Sequence, residues 1–327
     1  MPIFETPEPI TVALDLGAAD VRLSATGRRD TDVTVRPGRH ANEAALQAVE
    51  QVRVEYDSDS GTLRISSPKA RAFGFPRKNR TVEITVGLPA GSRLTGEVQT
   101  GDVRASGPLG ECRLKTSDGD IHLERTGPAH LVTSDGDIAV GSIDGDAEIS
   151  TGDGDVRIGH VEGTAVIENS DGDTTITTVA GDVRVRADDG DIRLGRAGAA
   201  VDARTSDGDV RIDSVSDSAR ARTGDGDVTI GRAGGDVDAK TSDGEIRLGE
   251  VVQGSVVLTS DDGDLEIGIA AGTAAWLDVH TSSGRVRSDL ESTSPPGGTE
   301  RTVQVRARTS DGDITVRRAA VSVGPAR

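Results

Sequence analysis

The residues of this chain with the most chemistry in them are eighteen carboxylates set around nine glycines. Asp118, Asp135, Asp153, Asp171, Asp189, Asp207, Asp225, Asp243 and Asp262 stand immediately before a glycine. Asp120, Asp137, Asp155, Asp173, Asp191, Asp209, Asp227, Glu245 and Asp264 stand immediately after one. Oxygen-rich turns of this kind have three uses. They can hold a hard cation such as Ca²⁺, for which Asp153, Asp155, Asp171, Asp173, Asp189, Asp191, Asp207, Asp209, Asp225 and Asp227 are the candidate ligands. They can act as an acid–base pair on a polysaccharide. They can also cap the backbone N–H groups of tight turns. A catalytic pair is an irregularity, whereas this pair recurs in every repeat, so the pattern reads as scaffold and no catalytic residue is assigned. The calcium reading has its own difficulty. Nonapeptide calcium-binding repeats carry further glycines in each turn, while these turns carry one, flanked by Ser and Asp. The alternate turns (Asp146, Thr164, Asp182, Ala200, Ser218, Asp236, Ser255) are not consistently acidic.

Other reactive side chains add little. The five histidines (His40, His122, His130, His160, His280) show no metal-ligand spacing, and His122 and His160 fall on outward strand positions. The one cysteine, Cys112, takes a slot where other repeats place Ala or Val, so it reads as a small core residue. No G-x-S-x-G and no phosphate-cradling loop is present. The sequence therefore reads as a non-enzyme without a cofactor, Ca²⁺ being the alternative.

The elements that position the carboxylates are set by an internal period. The turn glycines fall at 119, 136, 154, 172, 190, 208, 226, 244 and 263, and Gly101 and Gly110 continue the phase upstream. Two and four residues after each lie apolar pairs such as Ile192 and Leu194, Val210 and Ile212, Val228 and Ile230, with Arg193 or Arg211 between. That alternation marks a strand with one buried face. The other half of the repeat alternates smaller residues, Val201 and Ala203 or Ala219 and Ala221, and its next inward position is Thr205 or Thr223. One repeat of about eighteen residues is thus two short strands and two tight turns. Like residues recurring at a fixed offset favour stacking each strand on its equivalent one lap later over pairing neighbours as hairpins. The expected fold is all-β, a parallel β-solenoid with two short strands per coil. A thin core of this kind suits a chain with 2% aromatic residues.

Stacking would set like charges about 5 Å apart, at a cost of about 0.8 kcal/mol per pair even in water. Arg186, Arg204, Arg222 and Lys240, each three residues before its Asp, are the expected counter-charge.

Residues 1–90 are off-period and read as a β-rich cap with one short helix, Glu43–Gln51, capped by Asn42. Their expected strands are Ile10–Leu16, Asp20–Ala25, Asp32–Arg36, Val52–Tyr56, Thr62–Ser66 and Arg80–Leu88. The basic stretch SPKARAFGFPRKNR, with Phe73 and Phe75, reads as a loop. The solenoid is expected over 91–320, with a polar loop let out at 289–301 and a tail at 321–327. Trp276 is expected to plug widened final coils, and Arg317 and Arg318 to charge the terminal edge.

Beyond the TSDGDI-type turns, the approach VEITVGLPAGSRLTGEVQTGDVRASG and the ending GTAAWLDVHTSSGRVRSDL…TVQVRARTSDGDITVRRA resemble a bacterial family. These are β-strand-repeat proteins of unknown function, frequent in actinobacteria, whose repeat region is labelled "putative adhesin". The resemblance implies a β-helical fold and no known catalytic residues.

A formal net charge of -18 opposes nucleic acid as a partner, and no apolar run is long enough to span a membrane. No signal peptide is visible at the N-terminus, so the expected location is cytoplasmic, with export to a surface left open. The expected role is a non-catalytic adhesin-like interaction or scaffold protein binding a protein or glycan. A calcium-stabilised roll and a cytoplasmic, self-associating scaffold similar to bactofilins are the alternatives.

Overall fold

The computed structural model describes residues 2–38, 43–68, 81–290 and 301–319, and falls into two compact units, 1–171 and 172–327. Asn42, His40, Phe73 and Phe75, most of the basic stretch and of the polar loop, and the tail lie outside the described residues.

In the second unit the coil is regular. The strand Ile192–Ala197 is followed by a half-turn, the strand Val201–Arg204 and the main turn. Each strand pairs in parallel with its equivalent one lap later: Ile192 with Val210 and Leu194 with Ile212 in one sheet, Val201 with Ala219 and Ala203 with Ala221 in the other. The hairpin alternative is therefore excluded. Inward residues of the two sheets meet across the coil, and Ile192, Leu194, Val201 and Ala203 are all at most 3% exposed. Branched residues on the longer strand face Ala or Val on the shorter one, which fills a thin interior to normal density without aromatics. Each buried Ile or Leu contributes about 1.5–3 kcal/mol.

The main turn needs its glycine. Gly208 sits at φ +134, and a Cβ there would lie 2.3 Å from the Gly190 carbonyl oxygen on the coil before. Stacked turns approach backbone to backbone, and only glycine fits.

The first unit contains the same coil, with Ile138 over Ile121 and Ala147 over Ala129, and an unexpected start. Thr11–Thr26 is one sixteen-residue strand serving both sheets, where the sequence predicts two. Its first half lies between Thr62–Ser66 and Arg93–Thr100, its second between Val82–Pro89 and Val103–Pro108. The chain thus lays down its second rung first. The outer rung is then blunted by antiparallel strands, Asp30–Pro37 and Arg53–Asp57, with Ile3–Glu5 beyond the former. The helix Glu43–Gln51 lies against Asp30–Pro37 and buries Ala45.

The second unit ends by the same device. Arg301–Asp311 inserts between Gly254–Thr259 and Thr273–Ser283, and Ile314–Arg318 between Leu265–Ile269 and Val286–Ser288. The last rung of the stack is therefore residues 273–288, not the last stretch of sequence. Two expectations are corrected by this. Arg317 and Arg318 lie one rung in, where Arg317 pairs with Glu266 at 2.6 Å and Arg318 donates to the Ala270 and Thr273 carbonyls. Trp276 plugs nothing: it points outward beside Gln304 and is 60% exposed.

Candidate functional site

The turn carboxylates separate into two columns with different work. Those after the glycine are caps. In the first unit Asp20 accepts the N–H of Asp102, Asp102 that of Asp120, Asp120 that of Asp137, and Asp137 that of Asp155, at 2.9–3.2 Å. In the second, Asp173 accepts from Asp191, Asp191 from Asp209, Asp209 from Asp227 and Asp227 from Glu245, at 2.8–3.0 Å. Each rung thus satisfies the next rung's turn donor. The same rule serves the half-turns that carry Asp: Asp146, Asp182 and Asp236 accept the N–H groups of Thr164, Ala200 and Ser255.

Buried hydroxyls complete the turn from inside. Thr205, Thr223 and Thr241 donate to the carbonyls of Gly190, Gly208 and Gly226 at 2.9–3.1 Å. This accounts for Thr at that inward position: a buried turn carbonyl needs a donor.

Counter-charge comes from the other side of the turn than expected. Arg157 pairs with Asp155 at 2.5 Å and reaches Asp137 at 3.6 Å, while Arg193 pairs with Asp173 and Asp191 at 2.8 and 2.5 Å. Arg104 spans Asp102 and Asp120, and Arg247 pairs with Glu245. Each Arg stands two residues after its own Asp, on the same outward face, and can bridge to the neighbouring lap. Arg204 pairs instead with Asp202, and Arg222 with Asp238, both at 3.0 Å.

The column before the glycine differs. Asp153, Asp171, Asp189, Asp207 and Asp225 lend their carbonyls to the turn glycine of the lap before, and their side chains are exposed. Asp135 shows the consequence of stacking. A hydrogen bond with Asp153, slight desolvation and the charges of Asp153 and Asp118 raise its carboxyl above the ordinary range. Asp102 shifts the other way. Burial alone would raise it, but the Asp120 N–H and the Arg104 guanidinium outweigh this and hold it below that range. Among the described residues no three His, Cys, Asp or Glu side chains converge as a metal site.

A prediction follows from the lowered Asp102 carboxyl. The folded state favours its ionised form, so its contribution is full above the ordinary carboxylate range and is lost as pH falls through the lowered value. Asp102→Ala is expected to cost about 1–2 kcal/mol at neutral pH, discounted for partial exposure, with the difference from wild type vanishing in acid. Asp102→Asn, which keeps the acceptor oxygen, should cost less. Urea unfolding at several pH values measures both.

The remaining candidates lie on strands. Cys112 is buried, and desolvation pushes its thiol up to about 11, which disfavours the thiolate. His130 meets Glu148 at 3.0 Å and His160 meets Glu162 at 2.9 Å, both near the surface. His122 is half-buried in the outward column between Arg104 and Ala139. Arg113, Pro128, His130, Asp146, Glu148 and Val166 line a shallow groove of about 350 Å³ with no converging acid–base pair beyond His130–Glu148.

Two features escaped the sequence reading. Asp20, the first acceptor of the ladder, lies in the off-period segment, yet Asp20-Val21-Arg22 repeats Asp102-Val103-Arg104, and Val21 and Arg22 pair in register with Val103 and Arg104. The bridging arginines were visible as outward residues, but their i+2 spacing from the turn Asp was the signal of a pair.

Two parallel sheets joined by Asp-Gly turns, each rung capping the next, define a parallel β-solenoid repeat protein. No helix among the described residues is long and apolar enough to cross a membrane. The chain belongs to the Toastrack DUF4097 family, whose profile matches residues 10–231 and 197–317. Solved structures similar to it include a "putative adhesin" from Bacteroides fragilis, 15% identical over 96% of this chain and 95% of that one, with a TM-score of 0.28. Another, from Parabacteroides merdae, is 10% identical over 96% and 94%, with a TM-score of 0.30. A "putative cell adhesion protein" from Clostridium sporogenes is 12% identical over 97% and 98%, with a TM-score of 0.21. No curated protein matches the chain.

Proposed function

We propose that this protein is a non-catalytic, adhesin-like interaction scaffold that holds an extended anionic partner, a glycan or an acidic peptide segment, along a lateral face. The observation that carries the reading is a cationic column on an otherwise acidic chain. Arg186, Arg204, Arg222 and Lys240 stack in register on consecutive laps of the second unit. The neighbouring outward column, Arg184, Asp202, Arg220 and Asp238, alternates in sign and sums to zero. The face therefore keeps a net positive line, with one cation every ~4.8 Å along the stack. Pairing with Asp202 and Asp238 holds two of the guanidiniums in place, which lowers the entropy lost when a ligand is engaged.

The test is binding of polyuronate and of polyglutamate to wild type and to the Arg204→Glu/Arg222→Glu double variant, with circular dichroism verifying the fold. Retention of either polymer by wild type, and loss of about tenfold or more in affinity by the variant, is the expected result. Equal binding by both proteins would remove this face from the proposal.

A further inference from the structure

The first rung of the first unit and the last rung of the second are finished differently, and the difference points to an assembly. The N-terminal rung is closed by antiparallel strands and a helix. The C-terminal rung carries no such cover among the described residues: Thr273–Ser283 pairs only with Arg301–Asp311, and Val286–Ser288 only with Ile314–Arg318. Core positions come into the open there. Leu277 and Val286 are in register with Val305 and Ile314, which are 2% and 0% exposed, yet are themselves 37% and 46% exposed. An uncovered edge with apolar inward residues is what native sheets avoid unless it pairs.

The backbone of that edge is ordered for pairing. The Arg308 carbonyl accepts the Ser260 N–H, so Arg308 faces the rung before. Backbone groups alternate sides along a strand. Ala307 therefore turns toward Val279, with which it is in register, and takes up the Asp278 and His280 backbone, which leaves the N–H and C=O groups of Ala275, Leu277 and Val279 turned away from the molecule.

We propose that this edge is the interface of a closed, two-fold dimer, in which Thr273–Ser283 pairs antiparallel with the same strand of a second copy about Val279. The choice of occupant rests on self-complementarity. A two-fold centred on Val279 sets Asp278 of each copy opposite His280 of the other on the outer face, on either side of the outward-turned Val279 backbone groups that must exchange hydrogen bonds. On the inner face Leu277 meets Thr281 and Val279 meets Val279, which carries the buried alternation from one stack into the next. Arg306 and Arg308, at 3.4 and 3.8 Å from Asp278, hold that carboxylate on the outer face. An isologous contact uses one patch twice and stops. The product is therefore a dimer and not a filament. The inference is independent of the lateral-face proposal, because no residue of the cationic column takes part.

Sedimentation and light scattering of the full chain over a wide concentration range test it. Wild type should be a monomer–dimer equilibrium. Val279→Pro removes an outward N–H that the fold of the single copy does not use, and should yield monomers with unchanged thermal unfolding of the dilute protein. His280→Asp sets carboxylates against each other at two symmetric places and should weaken the dimer about tenfold or more. Adding Asp278→His to it swaps the pair and should restore association, which a merely sticky edge would not do. Wild type that stays monomeric at the highest concentration, grows into filaments, or dimerises equally well in all variants would overturn the proposal.

Discussion

Alanine at Gly208 is expected to lower the unfolding free energy of the second unit by roughly 3 kcal/mol or more, summing left-handed backbone strain and a core overlap. The residue sits at φ +134, and a Cβ would lie 2.3 Å from the Gly190 oxygen, an atom of backbone that cannot swing aside as a side-chain tip would. Moving that carbonyl also breaks the Thr205 hydroxyl bond to it, at 3.1 Å. The damage should spread, because Gly226 stands over Gly208 with a similar approach of 2.2 Å. Gly235, at a half-turn, is the internal control. Its nearest contacts to a built Cβ begin at 3.2 Å and its φ is not left-handed, so Gly235→Ala should cost less than about 1 kcal/mol. Chemical denaturation of the two variants side by side measures the contrast, and equal losses would show that turn stacking does not govern stability.

The same crowding explains what could be read from the sequence. A lap that returns its backbone onto itself allows one residue type at the point of closest approach, so glycine recurs there. The residue after it must then cap the turn, so Asp recurs there, whereas the Asp before it meets the turn through its backbone carbonyl. Inward and outward positions follow from alternation, and the parallel pairing of Ile192 with Val210 bears out the period. Stacking order at the ends was not legible. Periodicity records which way a residue faces, but not which rung it joins, and both ends insert a strand one rung in. Thr11–Thr26 lies between strands that come later in the sequence, and Arg301–Asp311 lies beneath a rung that precedes it. Trp276 was misplaced for this reason: its rung is the end of the stack and its side chain belongs to the outer column. The counter-charge was misread for a local reason. Arg204 and Arg222 precede the turn and pair with Asp202 and Asp238 along the strands, whereas Arg193 follows the turn on the face to which Asp191 also projects.

Excising one whole lap, residues 210–227, is expected to leave a folded protein, whereas excising residues 210–218 is expected to prevent the second unit from folding. The first deletion joins Asp209 to Val228, which occupies the position that Val210 held, and the two are already paired in register. The Asp191 acceptor keeps a donor from Asp209, and Thr241 takes the place of Thr223 beneath Gly208, since each hydroxyl serves the turn one lap before. Stability should fall only by the share of one repeat and its interface, as in a linear array of nearest-neighbour terms. The half-lap deletion instead sends Ala219 and Ala221 into slots shaped for Val210 and Ile212. It leaves a main turn where a half-turn belongs, so the downstream glycines no longer stand over Gly208 and both ladders lose their partners. Cavities of several methylene groups on every later rung add to that, at about 2–5 kcal/mol for each large residue replaced by alanine. Circular dichroism and cooperative thermal unfolding of the two deletion variants decide the matter. A folded half-lap variant would mean that the sheets are interchangeable and that the eighteen-residue register is not what the side chains enforce.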